Sequence, residues 1–549
     1  MKCNSEPVSR ASPLPHDESS LEHVLSREQY DFAAKYMASC RLNDRIRENP
    51  AAVSSQTVDI IETLYRSPRV RAQTQAYFLL RELSTALCAI AISNRGAPRE
   101  LAAFSALFRI LKQMSGHAHR AAAEALGSVP FPIQGPDVGG AVPQNTPVIS
   151  LKEVLKTIGA AACGPIQRFG RSLVLPINHD GQLLVLKTGD PGQATGLHNE
   201  ARWMMHLGEH GGDIRDSFQV PRLVRIKGAG VFQLDLKDHA HPVGIMPPGV
   251  RHAVAFITGG DYFTYPNDPR QRLKPHEFEA VLFENAYLFG RLSAQGMVHS
   301  APIPLFHNRV QGFRRRDQGV YEWQRGGRLD QWLHSCRYPN FGRSGIRDFE
   351  HFFSFTGRAR GLYPHVGTQF MSLFLVTASY FRSKSPETVG VDQGGEPVDA
   401  RHLFDKGFLA ELIAGLFDHY YHGFCGSRFS GVLPVDINRL SERIIKETGV
   451  DRHMEEILRA ADQKEMDRAE FRSFLKERGY TKAEARRTRQ GIGDITLQTG
   501  PHLGGFNQRI SLPELIEAVA TMTCLCLLGR YCRVSGLDLG RFYRHRPRL

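Results

Sequence analysis

Three residues of this chain are of types suited to handling phosphate and divalent metal, and each stands in a suggestive local context. Lys187 ends the apolar run Leu183-Leu184-Val185-Leu186-Lys187, so a strand there brings an ammonium out at a cleft, where it can reach anionic oxygens. Glu200 follows thirteen residues later in Asn199-Glu200-Ala201-Arg202-Trp203, on a helical pattern shared with Leu197, Met204 and Leu207. Asp348 lies far downstream in Gly345-Ile346-Arg347-Asp348-Phe349-Glu350. Each has a plainer reading: a solvated lysine at a strand end, a solvent-facing helical glutamate, an aspartate opening a helix or amphipathic strand. Their weight comes from the pair and the order. A lysine beside phosphate needs a carboxylate to fix its rotamer, and a carboxylate further along supplies hard oxygens to a metal. Upstream, Gly164-Pro165-Ile166-Gln167-Arg168-Phe169-Gly170 brackets a short segment with Gly164 and Gly170. Such a loop lets backbone amides approach phosphate, or it is an ordinary turn.

A further segment, Gly296-Met297-Val298-His299-Ser300-Ala301, continues through Pro302-Ile303-Pro304-Leu305-Phe306-His307-Asn308 after a long helical pattern. In this order the segments resemble the nucleotide site of the protein-kinase-like fold, with Asp348 in a context similar to that of aminoglycoside- and choline-kinase-like enzymes. The resemblance spans roughly residues 150–430. It implies that Lys187 contacts ATP phosphates, that Glu200 holds the lysine, that Gly164 and Gly170 frame a phosphate loop, and that Asn308 and Asp348 bind Mg2+. The adenine-binding hinge falls at Gly244-Ile245-Met246-Pro247-Pro248 or at Val254–Gly260, and both stay open.

The chain departs from the family at one telling place. Ala301 stands two residues after His299, where the family has its catalytic aspartate, and Asn308 lies further from His299 than the family spacing. A missing aspartate removes the group that orients and deprotonates an acceptor hydroxyl. His299 or His307 is then the residue expected to orient the acceptor. Families that lack this aspartate, such as selenoprotein O and the bacterial glutamylase pseudokinases, use altered nucleotide chemistry. The resemblance therefore implies a phosphoryl or adenylyl transferase acting on an unknown acceptor, either a protein or a small molecule. The alternative is a catalytically inactive pseudokinase scaffold that binds a protein partner through its helical domain. A third possibility is an interaction protein whose kinase resemblance is accidental.

The elements that must position these residues are legible as an α+β chain. Residues 1–20 are polar and proline-containing and read as a disordered leader, with no apolar core for a signal peptide. Residues 21–128 follow the helical period, from a capping box at Ser26-Arg27-Glu28-Gln29, with breaks at Ser67-Pro68 and Arg95-Gly96-Ala97-Pro98. Residues 129–149 hold enough proline and glycine to read as a linker. Strand-like runs at 172–176 and 183–187 flank Asp180-Gly181, a hairpin signal. Further strands are expected at 222–226 and 231–236, and helices at 197–207 and 275–295. By the resemblance, 150–260 and 261–430 are the two lobes of a kinase-like domain, with a basic insertion at 309–344. Residues 431–549 are a helical C-terminal extension, whose last helix is announced by Ser511-Leu512-Pro513-Glu514.

The 549 residues carry a formal net charge of +13, which suits an anionic partner such as a nucleotide or an acidic protein. Few aromatics interleave the basic runs, which argues against a single-strand nucleic-acid platform. The nine cysteines show no repeated spacing, so neither a disulfide framework nor a zinc ribbon is indicated, and a reducing, cytoplasmic setting of bacterial type is expected. His419, His422 and Cys425 have ligand-like spacing on one helix, but its aromatic richness favours packing. No uninterrupted apolar run reaches membrane-spanning length.

Overall fold

The computed structural model describes most of residues 18–212, 218–236, 250–303 and 336–448, together with short strands at 313–315, 321–323, 497–498 and 506–508 and a helix at 513–534. The chain is α+β and divides into two compact units. The first comprises Met1–Phe131, Ser430–Val435 and Tyr531–Leu549; the second comprises Pro132–Phe429 and Asp436–Arg530.

The first unit is helical: α1 (Glu18–Ser26), α2 (Phe32–Glu48), α3 (Ser55–Arg66), the single turn α4 (Pro68–Arg71), α5 (Ala76–Ser93) and α6 (Pro98–Gln113). Its core is the apolar face shared by α2, α5 and α6, with Leu42, Ile46, Leu79, Leu83, Leu87, Phe104 and Leu107 buried. The expected helix start at Ser26 is corrected here. Leu21, Val24 and Leu25 bury one turn earlier, α1 ends at Ser26, and the Ser26 hydroxyl donates back to the His23 carbonyl. Asp31 caps the next helix instead, accepting from the Ala34 amide at 2.8 Å. The break at Ser67-Pro68 holds as read: Ser67 ends α3 and caps α4, with proline in its first position. Helix α5 is long and apolar enough to cross a membrane, and 56% of that stretch is packed inside the protein.

The second unit opens with β1 (Pro132–Gln134), inside the stretch read as a linker, and β2 (Val148–Ser150), which straddles its end. Their partners are remote. β1 pairs antiparallel with Thr356–Arg358, and β2 pairs parallel with Val231–Asp235. Then come α7 (Leu151–Ile158), β3 (Gln167–Phe169), β4 (Ser172–His179), β5 (Gln182–Gly189), α8 (Ala194–His210), β6 (Arg222–Val224), β7 (Val231–Asp235) and β8 (Val250–Thr258). Seven strands make one sheet in the order β2-β7-β8-β5-β4-β3, with β6 also on β8. The turn at Gly181, φ +74°, closes the β4–β5 hairpin as its Asp-Gly signal implied.

Alternation decides which face of this sheet does what. Leu173, Leu175, Ile177, Leu184, Leu186, Phe232, Leu234, Ala253 and Ala255 form one buried cluster with Ile149 and Val154. The neighbours in register point the other way: Val174 opposite Lys187, Lys187 opposite Val254, Val185 opposite Phe256. Lys187 therefore stands on the face opposite the aliphatic cluster, among apolar neighbours.

The chain continues with α9 (Pro275–Ala294), β9 (Met297–His299), β10 (Phe313–Arg315), β11 (Tyr321–Trp323), β12 (Phe341–Gly342), β13 (Gly345–Ile346), β14 (Phe352–Ser354) and β15 (Thr356–Arg358). Helices α10 (Ala359–Ser383), α11 (Lys406–Cys425) and α12 (Ile437–Thr448), strands β16 (Leu497–Gln498) and β17 (Phe506–Gln508), and α13 (Pro513–Val534) follow. Helices α9 and α11 touch backbone to backbone. A β-carbon on Gly290 would collide with the Tyr420 carbonyl, and one on Gly423 with the Tyr287 carbonyl. The ligand-spaced trio on α11 is packing: His419 stacks on Phe283, His422 tilts against Tyr287, and Cys425 Sγ donates to the Cys526 carbonyl. The end of the glycine-rich segment, Phe506–Gln508, is β17, which runs parallel to β11 from the basic insertion.

Candidate functional site

Three elements aim at one point beneath the β5 strand. β5 supplies Lys187. Helix α8 packs Leu197, Ala201, Trp203, Met204 and Leu207 inward, and that same buried stripe turns Glu200 toward the lysine. The third element is the segment between β13 and β14, which holds Asp348. It is fixed at both ends. β13 pairs with β12 (Gly342 opposite Gly345, Phe341 opposite Ile346), and β14 pairs with β9 (Phe352 opposite His299). Between them Asp348 adopts a left-handed backbone, φ 60° and ψ 56°, one of two non-glycine residues with positive φ among those described. Aspartate tolerates that region better than most residues, and such conformations persist where the surroundings over-determine them.

The result is a buried knot of charge. Lys187 Nζ lies 2.6 Å from Asp348 Oδ1, 2.9 Å from Glu200 Oε2 and 3.7 Å from Glu350 Oε2. His351 Nε2 lies 3.3 Å from both Asp348 Oδ2 and Glu350 Oε1. Electrostatics follow from this crowding. Burial pulls the Lys187 ammonium down, but Asp348, Glu200 and Glu350 more than offset it and hold it well above the usual lysine range. Burial pushes the Glu200 carboxyl up to about 7 against the pull of Lys187. Burial also opposes charge on His351, yet Asp348 and Glu350 raise it to about 9, so it is an imidazolium at neutral pH. Oxygens of Asp348 and Glu350 and a ring nitrogen of His351 fall within 4.8 Å of one another, but an imidazolium has no lone pair to offer, so the two carboxylates are the groups that could hold an ion. Carboxylate oxygens are the donors Mg2+ prefers.

Sequence reasoning overlooked Glu350 and His351 as members of this site. They were visible as acidic and basic neighbours two and three residues past Asp348, but nothing local says that the chain doubles back there. Asn199 explains how it does: its side-chain amide donates to the Glu350 carbonyl at 2.9 Å and the Phe352 carbonyl at 2.7 Å. The Trp203 ring then rests against Phe352, with centroids 5.5 Å apart. Gly196 leaves room for Glu350, whose carboxylate a β-carbon there would crowd.

His299 is brought to this region but not as a residue that faces an acceptor. It is buried, its Nε2 lies 2.9 Å from the Arg347 carbonyl, and its Nδ1 accepts from the Ala301 amide at 3.2 Å. With Nδ1 accepting, Nε2 carries the proton and donates, so both ring nitrogens are spent on backbone. Burial lowers its pKa to about 4. The expectation that it orients a substrate is replaced by a positioning role: it ties the Ala301 loop to the carbonyl just before Asp348. Ala301 itself is buried, and its carbonyl accepts from Asn340 Nδ2 at 2.7 Å. His307, Asn308, Gly164 and Gly170 lie outside the described residues.

The neutral, buried state of His299 has a measurable consequence. Its folded pKa lies below the unfolded value, so the unfolded chain takes the proton first and stability falls as pH drops from about 6.5 toward 4. Between pH 6.5 and 5 this one group should cost about 2 kcal/mol. Denaturant unfolding of wild type and His299→Gln at both pH values checks it. The variant should lose that share of the slope, while His365, which burial also lowers to about 4, keeps its own share in both proteins. Equal slopes would mean that His299 is not buried neutral.

Comparison of the chain with protein-family models and with curated protein sequences finds no match.

Proposed function

We propose that residues 150–430 form a two-lobed, protein-kinase-like unit that binds ATP with Mg2+ and transfers a phosphoryl or adenylyl group to an acceptor. The observation that supports this reading above all is the convergence of Lys187 on Glu200 and Asp348, at 2.9 Å and 2.6 Å, from three separate elements. In this reading Asp348 and Glu350 would hold the metal, and Glu200 would hold the lysine in place. Bound Mg2+ would neutralise charge on the phosphates. Lys187 then presents its ammonium to phosphate oxygens, and His351 supplies positive charge beside the carboxylates.

A second reading, a nucleotide-binding scaffold without catalysis that holds a protein partner through the helical domain at 21–128, draws on Ala301 and His299. Neither supplies a base, because one is an alanine and the other has both nitrogens engaged with backbone.

Calorimetric titration of the full chain with ATP, with and without Mg2+, tests the site. Binding should require the metal, and Lys187→Ala and Asp348→Ala should each weaken it by about ten- to a hundredfold, the scale of a lost charge-assisted contact. ATP affinity that ignores both magnesium and Asp348→Ala would sink the proposal.

A further inference from the structure

Arg347, the residue before Asp348, is buried at 4% exposure, and its side chain takes no part in the site described above. Its Nη2 donates to the Thr264 carbonyl at 2.6 Å. Its Nε and Nη1 are buried and have no acceptor in good hydrogen-bond geometry among the described residues; the Tyr265 side chain and the Asp261 carboxylate favour its charge from further away. Two rings enclose it: the guanidinium carbon lies 4.4 Å from the Tyr265 centroid and 5.6 Å from that of Tyr262. No carboxylate forms an ion pair with it among the described residues. Buried charges are normally paired, because a desolvated ion without a counter-charge costs several kcal/mol (about the same for either sign). Aromatic faces return only part of that, about 2 kcal/mol at best. Arginine cannot escape by losing its proton. The two open nitrogens therefore describe a ligand by its complement: an anion with at least two oxygens.

The position of this cation narrows the ligand. Lys187 is opposite Val254 in the sheet and Leu183 is opposite Thr258, after which β8 leads directly into the segment bearing Tyr262, Thr264 and Tyr265. Four residues of strand put the start of that segment about 13 Å along the sheet from the lysine row. Arg347 reaches from the neighbour of Asp348 to Thr264, so two buried cations, Lys187 and Arg347, flank Asp348 on different sides. The two are not equivalent. Three carboxylates already surround Lys187, so that side attracts cations. Arg347 has no carboxylate in ion-pair contact among the described residues, and Asp261 acts on it only at longer range, so that side is the one better suited to an anion.

We propose that Arg347, caged by Tyr262 and Tyr265, is an anion subsite that takes a phosphoryl group of the ligand through Nε and Nη1. Entry is past Tyr265, whose ring is partly exposed and rests edge-on against Tyr338 at 5.2 Å. The chemistry is that of a phosphoryl with free oxygens, from either of two sources: the terminal phosphates of a nucleotide, or a phosphoester on a separate acceptor. Only the identity of the ligand rests on the nucleotide reading above; the open guanidinium does not.

The experiment is calorimetric titration of the full chain with sodium pyrophosphate, ATP, AMP and phosphoserine, using wild type, Arg347→Gln and Arg347→Lys. Pyrophosphate should bind wild type, and Arg347→Gln should weaken it by about ten- to a hundredfold. Arg347→Lys keeps the charge without the fork and should fall between. ATP weakened by Arg347→Gln with AMP unchanged assigns the phosphoryl to the end of a nucleotide. Phosphoserine binding that depends on Arg347 assigns it to an acceptor. If pyrophosphate needs Arg347 and ATP never binds, the subsite stands and the nucleotide reading fails. If ATP binds and neither Arg347 variant changes the affinity for pyrophosphate or ATP, the subsite is wrong and the nucleotide reading stands. Circular dichroism melting guards the comparison. An Arg347→Gln that unfolds, alongside a folded Arg347→Lys with wild-type pyrophosphate affinity, would reduce Arg347 to a structural tie to Thr264.

Discussion

Replacing Lys187 with methionine should destabilise the folded protein by about 3–5 kcal/mol at neutral pH, the range for removing one partner from a buried ion pair. Methionine keeps the apolar stem but strips the one cation that contacts Glu200 among the described residues. The loss should also acquire a pH dependence of definite sign. Glu200 already sits at about 7 with the lysine present, because burial raises it. Without the lysine its folded pKa rises further above the unfolded value near 4.3. A carboxyl raised in the fold binds its proton more tightly there than in the unfolded chain. The variant is therefore most stable at low pH and loses stability as pH climbs through the raised value. Unfolding by guanidinium at pH 5 and pH 8 should show Lys187→Met closer to wild type at the lower pH. Adding Glu200→Gln should recover much of the deficit, since it removes the charge left stranded. A neutral Lys187→Met at pH 8 would mean that the carboxylates are solvated and that the knot does not form.

The second large effect concerns the place of the missing base. Ala301→Asp restores the family's residue type, yet it should not restore hydroxyl phosphorylation. Ala301 is fully buried, its amide donates to His299, and its carbonyl is held by Asn340. A carboxylate there has no preformed partner among the described residues and should cost about 3–5 kcal/mol, as for an uncompensated buried charge. Thermal melting reads that cost directly. Transfer is read with ATP labelled separately on its α- and γ-phosphates, against a mixture of acceptors. General-base assistance typically contributes about a hundred- to ten-thousandfold, so an Ala301→Asp protein that stays folded and transfers γ-label on that scale faster would make this an ordinary catalytic loop.

The parts of this site that were legible in sequence are those fixed by local pattern. Lys187 could be read because an apolar strand ends on it, and Glu200 because its helix has an apolar stripe on either side of it. Asp348 could be read because the short strand before it sets it apart. The unread parts depend on contacts between distant segments. Pro132–Gln134 looks like a linker because its prolines and glycines are local breakers, and its pairing with Thr356–Arg358 cannot be seen from composition. His299 looks like a catalytic group by type, since histidine suits that role. Its burial is decided by β14 pairing beside it, a contact some fifty residues away in sequence. Arg347 and Glu350 stood in plain view beside Asp348. Their significance lies in what does or does not face them, and only a folded chain supplies that.

Asn199 stands one residue before Glu200 on α8, and its amide grips two carbonyls just beyond Asp348. The helix that supplies the glutamate and the segment that supplies the aspartate are thus latched by a single side chain, with Trp203 and Phe352 packed beside the latch. Swinging the helix outward breaks both hydrogen bonds at once, and re-aiming the aspartate pulls on the helix. Such a part has no cheap half-open position: the glutamate and the aspartate arrive together or leave together, so the site switches as one unit.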